Sequence, residues 1–145
     1  MQQGRIKVVI ADDHEQIRRG VRKLLAIAPE IRVVGEACNG QEAIELVQKH
    51  RPHVLILDLQ MPVMDGIQVM DTLRDCKSNV RVLVLSAFND SRYISEVLTR
   101  GAWGYYLKDE ASTTIVEAVR QAARGDGKGT RPRPSAKLLN KLAGA

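Results

Sequence analysis

Only two cysteines, Cys38 and Cys76, occur in 145 residues, far apart and with no further thiol beside either. That excludes a disulfide framework and a cysteine-built zinc site and leaves both as reduced thiols. Histidine is equally sparse. His14, His50 and His53 are scattered and read as surface or loop residues, so no imidazole cluster favours zinc or copper. Long apolar runs are missing too: in MQQGRIKVVIADD a short apolar stretch is closed by two acids, which is neither a secretory signal nor a membrane span. The expectation is a cytoplasmic protein with no membrane partner. Neither GxxxxGK nor GxGxxG is present, which removes the phosphate-cradling loops of nucleotide enzymes.

What is there suits one soluble domain with a tail. The length allows a single core but not two, and 44% hydrophobic with 27% charged residues is ordinary globular composition. A net charge of +5 would suggest a nucleic-acid surface if it were spread evenly. It is not. From Arg120 onward seven Lys and Arg face Asp126 alone, while residues 1–119 hold 15 basic and 16 acidic side chains. The body is therefore no nucleic-acid binder on charge grounds, and the basic tail reads first as a solvated linker.

Apolar runs alternate with helical patterns five times, the mark of repeated βα units and a parallel sheet covered on both faces. The strands are expected at Ile6 to Ala11, Val33 to Ala37, Val54 to Leu57, Val82 to Leu85 and Gly104 to Leu107. Helical stripes fall between them: Ile17, Val21, Leu24 and Leu25; Ala43, Leu46 and Val47; Ile67, Met70 and Leu73; Ile94, Val97 and Leu98; Ile115, Val119, Ala122 and Ala123. All are taken as core. The last helix should stop near Arg124, where GDGKGTRPRP brings three glycines and two prolines. SAKLLNKLAGA beyond it has leucines at helical spacing but is too short to fold alone.

The stretch VLILDLQMP is the first sign of chemistry, because a buried run enters an acid, Asp58, with no turn before it. In an open parallel sheet the ligand site lies beyond the carboxyl ends of the strands. There the sequence puts Asp12 and Asp13, Asp58, Ser86 and Lys108. If these ends meet, three carboxylates crowd together, and two such charges at about 5 Å repel by roughly 3 kcal/mol at an effective dielectric near 20. Lys108 can neutralise one charge, and a hard cation held through oxygens, Mg2+, can offset the others. A carboxylate beside a cation, an amine and a hydroxyl suits phosphoryl transfer, with Asp58 as nucleophile and Ser86 and Lys108 binding the transferred group.

Taken together, IADDHE, ILDLQMPVMDG, VLSAF and GAWGYYLKD resemble the receiver domain of two-component response regulators over roughly residues 5–125. DDH, SAF and the linker after the fifth helix resemble the NarL/FixJ branch, whose members carry a LuxR-type helix-turn-helix. The resemblance implies a flavodoxin-like (βα)5 three-layer sandwich with a five-stranded parallel sheet of order 2-1-3-4-5. It implies that Asp58 accepts phosphate from a sensor histidine kinase, that Asp13 and Asp58 ligate Mg2+ directly, that Asp12 acts largely through water and that Gln60 offers its backbone carbonyl. It also places Ser86 and Tyr105 at the family's two switch positions, gives Pro62 and Gly66 the turn after the phosphoacceptor, and sets Phe88 and Gln60 beside the pocket. Phosphorylation would let Ser86 move toward the phosphate and Tyr105 turn inward, with a homodimer as one outcome. A surface tyrosine is the plain alternative for Tyr105.

This chain departs from the branch in three places. No complete DNA-binding domain follows, so residues 126–145 read as a basic linker and the approach to a truncated output domain, through which alone DNA would be met. Glu15 stands where proline is common, and Asp109 follows Lys108 where many receivers have proline. Two rival functions are weighed. A haloacid-dehalogenase-type phosphatase would need an acid two residues after the nucleophile, where Gln60 stands; this argues against a multiple-turnover enzyme and for a protein that catalyses only its own phosphorylation and slow dephosphorylation. An inert interaction module would not need five competent pocket residues.

Overall fold

The apolar runs become strands because helices cover both faces of them. The computed structural model describes residues 6–87, 91–125 and 133–134. In chain order these form β1 (Ile6–Ala11), α1 (Glu15–Leu25), β2 (Ile31–Ala37), α2 (Gly40–His50), β3 (Val54–Leu57), α3 (Gly66–Asp75), β4 (Arg81–Ser86), α4 (Ser91–Thr99), β5 (Gly104–Leu107), a 3-10 turn (Lys108–Glu110), α5 (Ala111–Arg124) and β6 (Arg133–Pro134). The strands pair in parallel in the order β2-β1-β3-β4-β5-β6, so the expected 2-1-3-4-5 arrangement holds.

Burial follows the two-residue period of a strand even where hydropathy does not alternate. Val9, Leu55, Leu57, Val82 and Val84 face the layer of α2, α3 and α4, while Val8, Ile10, Val54, Ile56, Leu83 and Leu85 face α1 and α5. The helical stripes fill the same two cores. Ile44 of α2 and Val69 of α3, outside the expected stripes, are buried with them because each apolar face is wider than a single ridge. Strands two and four run slightly longer than expected: β4 gains the polar Arg81 and Ser86, and β2 gains Arg32 and the buried Ile31, which the exposed Arg32 separates from the apolar run that follows. Cys38 and Cys76 are free as expected, but both are exposed and neither is a core thiol.

Two helix starts are fixed locally. Asn39 accepts the Glu42 amide at 2.8 Å to open α2. Asp65 accepts the Gln68 amide at 2.9 Å while the Gln68 side chain accepts the Asp65 amide at 3.0 Å, a capping box that opens α3. No described peptide bond is cis, that between Lys108 and Asp109 included.

One element was not anticipated. Arg133 pairs with Gly104 and Pro134 with Tyr105, so two residues of the stretch read as linker add an edge strand to β5. An edge is where proline, which has no amide hydrogen, is tolerated in a sheet. The other residues of 126–145, with the leucines of SAKLLNKLAGA, lie outside the described residues, as does Phe88. No described helix is long and apolar enough to cross a membrane.

Candidate functional site

The parallel register puts the chemistry at one end of the sheet. Ala11 is paired with Leu57 across β1 and β3, so the next residues, Asp12 and Asp58, stand side by side where the two strands end. Their backbones are still held as ladder: the Asp12 amide donates to the Ala37 carbonyl at 3.0 Å and the Asp58 amide to the Ala11 carbonyl at 2.9 Å. Ser86 is paired with Leu107 across β4 and β5, which brings Lys108 to the same edge.

Lys108 closes the constellation. Its Nζ lies 2.9 Å from Asp12 Oδ2 and 3.5 Å from Asp58 Oδ1. Asp12, Asp58 and Ser86 are buried, whereas Asp13 is open to solvent. Burial pushes the Asp58 carboxyl up to about 6, the neighbouring Asp12 charge adds to the rise, and Lys108 opposes it. The position of Lys108 is itself braced: Glu110, the buried acid of the turn, accepts the Leu107 amide at 2.7 Å, and its carbonyl accepts the hydroxyls of Thr113 and Thr114. Sequence reasoning missed Glu110, although an acid just after the lysine at a helix start was the available signal.

A cavity of about 590 Å³ opens over these groups, lined by Asp13, His14, Asp58, Gln60, Met61, Pro62, Asp65, Ala87 and Lys108. A wider cavity of about 710 Å³, among Val47, Arg51, Leu73, Lys77 and Arg81, has no carboxylate among its described lining residues. Chemistry, not size, identifies the site. Asp12, Asp13, Asp58 and His14 each offer one ligand atom, all within 4.8 Å of one another. Three carboxylate oxygens make a hard donor set that fits Mg2+. Gln60 is exposed at the rim, as its place after Asp58 requires.

His14 is an exposed loop residue, as expected, yet its ring is engaged. Nδ1 sits 3.1 Å from Asp12 Oδ1 and 3.0 Å from Asp13 Oδ1. His50 and His53 lie at the opposite end of the sheet around Lys7, whose Nζ donates to the His50 carbonyl and whose amide donates to His53 Nδ1. Arg18, also missed, donates from Nη1 to the Asp12 carbonyl at 2.7 Å and from Nε to Glu36 at 3.2 Å, tying α1 to the end of β1. Tyr105 is completely buried in the α4-side core with Ile94, Val97 and Ala102. The surface alternative for it is thereby corrected: its ring is already inside.

The loop after Asp58 is shaped by close approach and by strain. A Cβ on Gly66 would lie 2.7 Å from the Asp58 carbonyl oxygen and 2.8 Å from Leu59 Cα, so α3 can start this near Asp58 only with glycine there. Val63 has φ 72° and is exposed, a left-handed conformation that a β-branched residue resists. Val63→Asn is expected to raise stability by about 1 kcal/mol, since asparagine tolerates this region and no burial is lost. Urea denaturation of the two proteins measures it, and an unchanged or lower midpoint would contradict the strain argument.

Residues 8–120 match the family described as the response regulator receiver domain. The chain is 40% identical over 123 residues to the transcriptional regulatory protein DegU of Brevibacillus brevis, covering 85% of this chain and 52% of that one. It is 41% identical over 119 residues to the nitrate/nitrite response regulator protein NarL of Escherichia coli K12, covering 82% and 55%. It thus spans about half the length of these curated relatives. The solved signal receiver domain of the putative response regulator NarL from Mycobacterium tuberculosis superposes with a TM-score of 0.80 at 41% identity, covering 83% of this chain and 98% of that one.

Proposed function

Since the chain belongs to the response regulator receiver domain family, in its NarL/FixJ branch, we propose that it accepts a phosphoryl group on Asp58 from a sensor histidine kinase and so controls a DNA-binding transcription output. The observation that carries this reading is the meeting of three strand ends at one ammonium, with Lys108 at 2.9 Å from Asp12 and 3.5 Å from Asp58. In the reaction an Asp58 carboxylate oxygen attacks phosphorus. A P–O bond forms as the P–N bond to the donor imidazole breaks, and the departing nitrogen keeps the electron pair. Mg2+ held by Asp12, Asp13, Asp58 and the Gln60 carbonyl would offset the carboxylate charge and bind phosphoryl oxygens. Lys108, already paired with Asp58, is placed to take a further phosphoryl oxygen, and Ser86 to hydrogen-bond another.

The new charge on Asp58 draws the Ser86 hydroxyl and Lys108 toward it. Tyr105, packed against α4, couples this movement to the surface of α4, β5 and α5, where a homodimer would form. The regulator works in the cytoplasm and catalyses only its own phosphorylation and slow dephosphorylation. Gln60 in place of an acid favours this over a multiple-turnover phosphatase, and the assembled pocket favours it over an inert interaction module.

Incubation with Mg2+ and acetyl phosphate, followed by intact-mass measurement, is expected to show one labile phosphate on the parent protein and none on Asp58→Asn. Steady release of inorganic phosphate at high turnover would point to the phosphatase, and no adduct on the parent would point to the inert module.

A further inference from the structure

The contacts of Asp12 leave it no idle oxygen. Oδ2 is held by Lys108 at 2.9 Å, and Oδ1 accepts the His14 amide at 2.9 Å with the His14 ring Nδ1 3.1 Å away. The same ring nitrogen reaches Asp13 Oδ1 at 3.0 Å. An imidazole nitrogen between two carboxylate oxygens must present its hydrogen to them, because a lone pair there would face negative charge. A cation taking either oxygen reverses that requirement, since the N–H would now point at positive charge. One of the groups on Asp12 and Asp13 has to respond. The His14 amide is fixed in the chain, and the Lys108 side chain is only 17% exposed, whereas the His14 side chain is 64% exposed and able to turn on its own Cβ.

Two responses are open to a neutral ring. It leaves the site to a hard cation surrounded by oxygens, or it stays, takes the other neutral tautomer with the hydrogen on Nε2 instead of Nδ1, and ligates through Nδ1. Its ring nitrogen is already within 4.8 Å of the carboxylate oxygens of Asp12, Asp13 and Asp58, the spacing at which one ion is shared. We propose that His14 is a metal-selecting ligand of the acidic pocket, adding a nitrogen to the carboxylate set for imidazole-accepting divalent transition ions and swinging out for Mg2+. This rests on the reading of the pocket as a phosphoacceptor site, and gives that site a second class of cation.

The test compares the parent with His14→Gln, using Ni2+ and Mg2+ for affinity by calorimetry and Mn2+ as the paramagnetic probe. His14→Gln is expected to lose about tenfold or more in Ni2+ affinity, the range typical of removing a group that supports a metal site, with Mg2+ affinity unchanged or slightly higher. Pulsed electron paramagnetic resonance of the Mn2+-loaded parent should show coupling to a ring nitrogen that is absent from the variant. Equal losses for both ions, no loss for Ni2+, or no nitrogen coupling in the parent overturns the proposal. Phosphorylation of His14→Gln with acetyl phosphate and Mg2+ keeps the two readings apart. An adduct together with unchanged Ni2+ affinity rejects the histidine ligand and leaves the phosphoacceptor standing, whereas a parent with neither metal binding nor adduct rejects both.

Discussion

Asp58→Asn is expected to be more stable than the parent protein at pH 7.5 in the absence of divalent cations, by about 2 kcal/mol, although it removes the proposed phosphoacceptor. The Asp58 carboxyl titrates near 6 in the folded chain against an ordinary 3.8, first because it is buried and then because Asp12 stands beside it. A carboxyl with a raised folded value holds its proton in the native state while the unfolded chain has lost it. Between about pH 4 and 6 the native state therefore binds more protons, and stability falls as pH rises through that window. Below it the group contributes no difference. Above it the full penalty is present, a shift of about two units corresponding to about 3 kcal/mol, of which asparagine recovers most while giving up a contact to Lys108. Urea unfolding in chelator at pH 4 and pH 7.5 checks it: the advantage of the variant should be near zero at the lower pH and largest at the higher. Millimolar Mg2+ should stabilise the parent more than the variant and narrow the gap. A variant less stable at both pH values would show that Asp58 is not under charge strain.

Much of this pocket and of the sheet beneath it is legible in the sequence. Apolar runs ended by acids locate β1 and β3, because a buried strand stops where its side chains must meet solvent or a ligand, and the order of Asp12, Asp13, Asp58, Ser86 and Lys108 along the chain maps onto the strand ends. The two stripes of α1 and α5 lead directly to one core face. What escaped were contacts set by the third dimension. Nothing in the local pattern of Arg18 distinguishes an arginine that holds the Asp12 carbonyl from one on a solvated helix face. Glu110 looks like an acid at a helix start, and only the turn of the chain after Lys108 aims it back at the Leu107 amide. β6 has no apolar period at all, because an edge strand of two residues is specified by the free ladder of β5 and not by its own side chains. Tyr105 illustrates the converse: tyrosine is ambiguous between surface and core, and the strand's position beside α4 decides for the core.

Lys108→Ala should show the opposite sign and a larger size, losing about 3 kcal/mol at pH 7.5 without divalent cations. Lys108 is the one cation within 4 Å of both Asp12 and Asp58 among the described ion pairs, and both carboxylates are almost wholly buried. Removing one partner of a buried pair leaves an uncompensated charge, which is destabilising by about 3–5 kcal/mol, and here two carboxylates are left facing each other. The structure has a way out, since a proton on Asp58 can replace the lost ammonium. Without Lys108, which opposes the rise, the Asp58 carboxyl is lifted further. The loss should accordingly be small near pH 5, where the proton is taken up readily, and grow as pH rises. The double variant Asp58→Asn with Lys108→Ala removes one of the two charges, so Asp58→Asn should stabilise the Lys108→Ala background by more than the about 2 kcal/mol it adds to the parent, a non-additivity that reports the direct coupling. Phosphorylation by acetyl phosphate should fall by about a hundredfold or more in Lys108→Ala, in line with the loss of a single preorganised donor to developing charge. If stability fell equally at pH 5 and pH 7.5, the lysine would be acting through its alkyl part, since it also lines a cavity with Leu85 and Ala111 between α1 and α5, and the electrostatic account of the pocket would fail.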